Sequence, residues 1–153
     1  MTEFHLRVIL PRNRVAAGTL RVERAGVPVR EFPVLGRSAV GRTSMLASGN
    51  TPTGTYQGDA IRDTSSWNQR SYGPWGAVHL RPIGGDALAA EALGRRGLLI
   101  HGGDPGVHSA LRPTYGCLRL SNADMKDLVE LLQEQTSSAQ SSDHMVVITV
   151  QEF

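Results

Sequence analysis

The sequence predicts a small, mostly-β fold with one substantial helix, and three observations carry that expectation. Short apolar or alternating segments recur along the chain, each closed by glycine or proline. Glycine fills 17 of the 153 positions, above the usual share of roughly 7%, as a turn-rich chain requires. One segment alone, beginning at Ser121, keeps apolar residues at helical spacing for more than two turns. The length indicates one domain, residues 1–153.

Taken in order, Phe4 to Leu10 reads as a strand stopped by Pro11. Gly18 to Arg24 alternates cleanly, Ala25-Gly26 supplies a turn, and Val27 to Leu35 returns as the hairpin partner. Pro28 and Pro33 place that partner at a sheet edge, because proline removes a ladder donor. Gly36 to Asn50 is a Gly/Ser-rich connection, and Thr51-Pro52-Thr53-Gly54 fits a type I turn before a strand starting at Thr55. Arg62 to Trp75 reads as a long polar surface loop, and Gly76 to Ile83 as a strand. Asp86 to Leu93 reads as a short alanine-rich helix with Asp86 as its cap and Gly94 as its stop. Gly97 to His101 is a short apolar strand, and Gly102 to Pro113 a loop. Ser121 can cap the main helix with Asp124 three residues on, and Met125, Leu128, Val129 and Leu132 form one apolar stripe. Thr136 to Asp143 reads as a polar linker, and Met145 to Val150 as a closing strand.

Composition excludes several classes. An apolar share of 40% with 20% charged residues is far from a disordered chain, and no stretch approaches the ~20 apolar residues of a membrane helix. The net charge is only +2 and the arginines are scattered, so the chain lacks the basic stripe of a nucleic-acid binder. Cys117 is the single cysteine and cannot form an internal disulfide. Met1 to Arg7 lacks the basic-then-apolar layout of a signal peptide.

Two segments carry unusual residue choices. His101 ends a buried strand and is followed by Gly102-Gly103, which let the backbone turn or approach a ligand. Cys117 follows Tyr115-Gly116 just upstream of a helix start. A nearby histidine can take a thiol proton, N–H groups around Gly116 and Cys117 can face an oxyanion, and Arg119 offers a fork for a carboxylate. Each residue also has a plainer reading. A free cysteine is often a small buried hydrophobe, His101 can be a satisfied core residue, and Arg119 alone is an ordinary surface charge. A zinc site from His79, His101, His108 and Cys117 matches no compact ligand spacing. His79 is read as core or cleft lining, His5 and His144 as incidental, and Trp67, Tyr72 and Trp75 as either a lid or ordinary anchors.

The run from Ile100 to Asn122 resembles the active-site signature of the L,D-transpeptidase catalytic domain (YkuD-type) family. That signature is a histidine-glycine pair after a strand, followed at a distance by Ser/Thr-His-Gly-Cys, an apolar residue and commonly Arg. Here fifteen residues separate His101 from Cys117, and the second part stands as Thr114-Tyr115-Gly116-Cys117-Leu118-Arg119. Thr51-Pro52-Thr53-Gly54 looks like the family's Thr-Pro-x-Gly segment, so the resemblance covers about residues 18 to 150. One position departs: Tyr115 stands where the family commonly has histidine, and a phenol does not become a cation near neutral pH.

The resemblance implies a compact β-sandwich with one substantial helix after the cysteine and one short helix. It implies Cys117 as nucleophile, His101 as its base, and the Gly102 carbonyl as the group orienting the imidazole. It implies an oxyanion hole from the N–H groups of Tyr115, Gly116 and Cys117, and a role for Arg119 in positioning the pocket or a substrate carboxylate. Thr114 and Tyr72 are read beside it as substrate contacts, and His108 either as a second imidazole at the site or as an exposed loop histidine. The donor would be a peptidoglycan tetrapeptide stem, cut before its terminal D-Ala, with the acyl group passing to a second stem, a D-amino acid or water. Neither metal nor organic cofactor is implied. Two other readings stand beside this one. A papain-like or endopeptidase cysteine enzyme carries its cysteine before its histidine, the reverse of the order here. A catalytically silent peptidoglycan-binding or structural domain on the same fold would keep its ligand after Cys117→Ala.

The compartment implied is the periplasm or cell wall. The expected lack of a leader points either to a trimmed chain or to loading into a type VI secretion machine as an antibacterial effector. An effector implies an immunity partner, and Cys117-dependent lysis on periplasmic expression would test it.

Overall fold

The computed structural model describes residues 4–138 and 146–153. Eight strands join in one hydrogen-bonded order: β1 (Phe4–Leu10), β2 (Gly18–Arg24), β3 (Val27–Val34), β4 (Gly54–Arg62), β5 (Ala77–Gly84), β6 (Leu99–His101), β7 (Leu118–Arg119) and β8 (Val146–Glu152), arranged β3-β2-β1-β8-β4-β5-β6-β7. The two ends of that order meet. Leu35, just beyond β3, and Arg119 in β7 exchange both backbone hydrogen bonds at 3.0 Å. The sheet therefore folds over onto itself, and the compact, mostly-β architecture expected from the sequence is the one observed.

Alternation decides which face of each strand is inside. Phe4, Leu6, Val8 and Leu10 of β1 are buried, while His5, Arg7 and Ile9 between them are only half-covered. β8 repeats the pattern with Val146, Ile148 and Val150. It lies between β1, to which it is parallel, and β4, to which it is antiparallel. β3 is the edge strand that its prolines indicate. Ala25 and Gly26, the two residues between β2 and β3, have φ of 54° and 77°, the left-handed pair that a tight hairpin needs.

The main helix, α3 (Asn122–Ser138), starts as expected: the Ser121 hydroxyl accepts the Asp124 N–H at 3.1 Å. Its stripe of Met125, Leu128, Val129 and Leu132 is buried in the same core cluster as the inward faces of the strands. Full burial of a side chain such as Leu128 is worth roughly 2–3 kcal/mol.

Several local expectations are corrected. The 62–75 segment is not wholly a surface loop. It contains a helical turn, α1 (Gln69–Tyr72), capped by Asn68, and buries Thr64, whose hydroxyl donates to Gly73 O and accepts from Gly76 N–H. The short helix, α2 (Gly85–Ala92), has Gly84 at its cap, so Asp86 falls in its first turn and accepts from Thr53 Oγ1 instead. Thr51-Pro52-Thr53 forms no turn and leads directly into β4. Helix α3 continues through Thr136 to Ser138, further than the polar composition suggests. His144 and Met145 lie outside the described residues.

Candidate active site

β6 and β7 run parallel with His101 opposite Arg119 in register, and Cys117 immediately precedes β7. This pairing brings together the two ends of a motif that fifteen residues separate in the chain. His101, Cys117, Tyr72, Thr114, Tyr115, Arg112 and Arg119 line one cavity of about 390 Å³.

His101 is almost wholly buried, and its Nδ1 lies 2.7 Å from Gly102 O. A carbonyl only accepts, so Nδ1 carries the proton and Nε2 keeps its lone pair. The same oxygen accepts a second hydrogen bond, from Arg119 Nη1 at 2.6 Å. Arg119 Nη1 also reaches Ser71 O at 3.0 Å, tying α1 to the histidine loop. The Tyr72 ring packs on the imidazole at 4.8 Å between centroids, and Trp67 meets the other side of Tyr72 edge-on at 5.1 Å. Burial pushes the His101 pKa down to about 4, the Gly102 hydrogen bond partly opposing this and the Arg119 charge adding to it. The imidazole is therefore neutral at physiological pH.

Cys117 is half-buried. Its Sγ accepts the Leu99 N–H at 3.3 Å and lies 3.8 Å from Gly97 O. Burial raises the thiol to about 11 against the opposing pull of the Leu99 N–H and the Arg119 and Arg95 charges. At rest the two groups are a thiol and an imidazole rather than an ion pair.

The turn that carries the thiol is held from three sides. Thr114 Oγ1 donates to Cys117 O at 2.7 Å and accepts the Gly116 N–H at 3.2 Å. Thr51 Oγ1 donates to Gly116 O at 2.8 Å, and Arg14 in turn holds Thr51 O at 2.9 Å while paired with Glu152. Arg95 lies beneath Gly116, whose φ is +118°; a Cβ there would fall on the Arg95 Nη2 atom. Glycine at 116 is thus required twice, by conformation and by the guanidinium beneath it. Because Gly116 N–H is engaged by Thr114, the N–H groups left without a hydrogen bond among the described residues are those of Tyr115 and Cys117.

Thr51 was visible in the sequence only as part of a motif, and its bonds give it a testable weight. Thr51→Val keeps the shape but removes the donor to Gly116 O from a fully buried position. The expected cost is about 1–3 kcal/mol, a Tm lower by roughly 3–10 °C at this chain length, measured by thermal melting.

Other residues fall elsewhere. His108 is exposed, in a 3₁₀ turn (Val107–Ser109) with φ of 56°, and does not line the cavity, so a substrate contact from it is not supported. His79 pairs with Asp59 at 2.7 Å and lines a different pocket, with Gly97 and Leu98. Trp75 packs under Lys126 at 4.9 Å, beside α3 and away from Tyr72. His5 bonds Thr149. Among the described residues no three His, Cys, Asp or Glu side chains come together as a metal-binding group. Arg119, expected to meet a substrate carboxylate, is buried with its Nη1 engaged by two backbone carbonyls. Arg95 is buried while its neighbour Arg96 is exposed.

Comparison with known proteins shows the family and the fold. The family model YkuD, described as the L,D-transpeptidase catalytic domain, matches residues 13–148. The chain is similar in fold to Bd1075 of Bdellovibrio bacteriovorus, at 17% identity and a TM-score of 0.57, covering 95% of this chain and 47% of that one. It is similar to an L,D-transpeptidase from Mycobacterium smegmatis, at 15% identity and a TM-score of 0.53, covering 97% and 59%. It is similar also to the L,D-transpeptidase of Xylanimonas cellulosilytica, at 17% identity and a TM-score of 0.51, covering 97% and 61%. The chain thus spans about half to three fifths of the length of these solved chains. No curated protein matches.

Proposed function

The chain belongs to the L,D-transpeptidase catalytic domain family, and from that premise we propose that it is a cysteine acyltransferase acting on peptidoglycan stem peptides in the periplasm or cell wall. The observation that carries the proposal is the fixed tautomer of His101. With Nδ1–H held by Gly102 O, the Nε2 lone pair is the basic site left on the imidazole, in the cavity that also holds the Cys117 thiol.

The reaction starts from a neutral pair. As the thiol meets the carbonyl of the diamino acid's L-centre, its proton passes to His101 Nε2 and Sγ bonds to the carbonyl carbon. The charge on the carbonyl oxygen falls to the N–H groups of Tyr115 and Cys117, the two left free in the turn. Collapse breaks the bond to the terminal D-Ala, whose nitrogen takes the proton from His101. The Cys117 thioester then passes to an amine or to water, with His101 again taking a proton from the attacking group. An amine of a second stem gives a crosslink, a D-amino acid gives exchange, and water gives carboxypeptidase action.

The test is mass spectrometry of tetrapeptide muropeptides incubated with wild-type protein and with Cys117→Ala, with and without added D-amino acid. Loss of terminal D-Ala with the wild type alone is the expected result, and product masses separate the three acceptors. Unchanged muropeptides from folded wild-type protein would favour a silent wall-binding domain.

A further inference from the structure

Arg95 follows α2 and sits on the side of the cysteine turn away from the cavity. Its guanidinium is held entirely by backbone carbonyls: Ser44 O and Asn50 O on Nη1, and Gly49 O on Nη2 at 3.2 Å. Among the described residues it makes no ion pair with a carboxylate, although it is nineteen-twentieths buried (4% exposed). A buried cation normally sits against a carboxylate; this one is hydrogen-bonded to carbonyl dipoles alone among the described residues. The same Nη2 occupies the space beneath Gly116 Cα, one residue from the thiol.

The titratable groups around the thiol are few. His101, Tyr72, Tyr115, Arg112 and Arg119 line the cavity with it, and no Asp or Glu does. The hydroxyl and thiol whose ionisation would act on Arg95 are those of Tyr56 and Cys117, and the Glu91 carboxylate lines a second pocket with Arg95 without forming an ion pair to it among the described residues. The Tyr56 hydroxyl is fully buried and donates to Pro52 O at 2.6 Å, which leaves it neutral. Cys117 is therefore the group beside Arg95 whose charge changes when the thiol proton leaves.

We propose that Arg95 is a positioning residue for Cys117, a fixed and uncompensated buried cation that seats the Tyr115–Cys117 turn from behind and stabilises the thiolate as its proton leaves for His101. The proposal rests on the reading of Cys117 as nucleophile. The carbonyls of residues 44–50 hold the cation in place before any charge develops, so no reorganisation is needed when the thiolate forms. Arg119 supplies a second buried charge from the cavity side, engaged by Gly102 O and Ser71 O.

The test is the pH profile of Cys117 alkylation by iodoacetamide, with folding checked by thermal melting, in wild type, Arg95→Gln and Arg95→Lys. In Arg95→Gln the thiol profile moves up by about one pKa unit, so alkylation at a fixed pH below the inflection slows about tenfold. In Arg95→Lys, which keeps the charge, the profile stays with the wild type. A folded Gln variant with an unmoved profile, or a Lys variant shifted as far as Gln, overturns the proposal. Should the Gln variant not fold, Asn50→Asp places a carboxylate on a residue whose carbonyl already holds Arg95 and keeps an acceptor for Ser38 N–H. It must raise the thiol profile, and no rise overturns the proposal. Alkylation needs no stem peptide, so a wild type that leaves muropeptides unchanged would refute the acyl-transfer reading without touching this result.

Discussion

His101→Gln is expected to lower kcat/KM on a tetrapeptide donor by roughly three to four orders of magnitude while leaving the protein folded. The glutamine amide can still donate to Gly102 O, the bond that His101 Nδ1 makes at 2.7 Å. What it cannot do is take the thiol proton. The loss should fall on kcat and on the rate of acylation, because His101 packs beneath Tyr72 and is almost wholly buried. Single-turnover release of D-Ala, read beside circular dichroism, separates lost chemistry from lost fold. A variant retaining a tenth or more of wild-type kcat/KM would remove His101 from the role of base.

The second large effect concerns pH. With Cys117 pushed up to about 11, roughly one thiol in ten thousand is ionised near neutral pH. Iodoacetamide should then react about a hundredfold more slowly than with an exposed model thiol, whose pKa is 9.0. Rapid neutral alkylation with an inflection well below the model value would mean a preformed thiolate–imidazolium pair. The histidine gives the acid limb. Because only its neutral form can act as base, kcat/KM should hold down to about pH 5 and fall through about 4.

The same depressed pKa makes a statement about stability. Between about pH 4 and 6.5 the unfolded chain binds a proton at His101 that the folded chain does not. Stability is therefore retained above 6.5 and falls as pH drops toward 4, by roughly 3 kcal/mol from this one group. His101→Gln should flatten that part of the stability profile.

Most of the strands were legible because one face of each is buried and the other is not, as the alternation of β1 and β8 shows. The main helix was legible from its capping serine and one unbroken apolar stripe. What escaped the sequence lacks periodicity. Helix α1 is one turn long, and its segment is anchored by a buried threonine hydroxyl and a tyrosine ring tilted against a histidine. Thr51-Pro52-Thr53-Gly54 has turn composition, yet it forms no turn, and Thr51 reaches across to Gly116. His79 looked inward by strand position, but the register shift between Gly58 and Ala60 sets it against Asp59.

The site itself was legible as a motif but not as a network. The family resemblance could pair His101 with Cys117. It could not show that Arg119 shares Gly102 O with the imidazole, or that Arg95 is folded inward where Arg96 is not. The nearest local signal for Arg95 is its place between Gly94 and Gly97, both with positive φ. Even that identifies a bent backbone rather than a buried charge.

In the proposed reaction Cys117 carries the acyl group. The measurement that reaches it most directly is intact-protein mass spectrometry after brief incubation with a tetrapeptide donor and acid quench. The expected result is an adduct on Cys117 equal in mass to the donor less its terminal D-Ala, absent from Cys117→Ala and lost on adding an amine acceptor. D-Ala release with no adduct, or release that continues in Cys117→Ala, would contradict it.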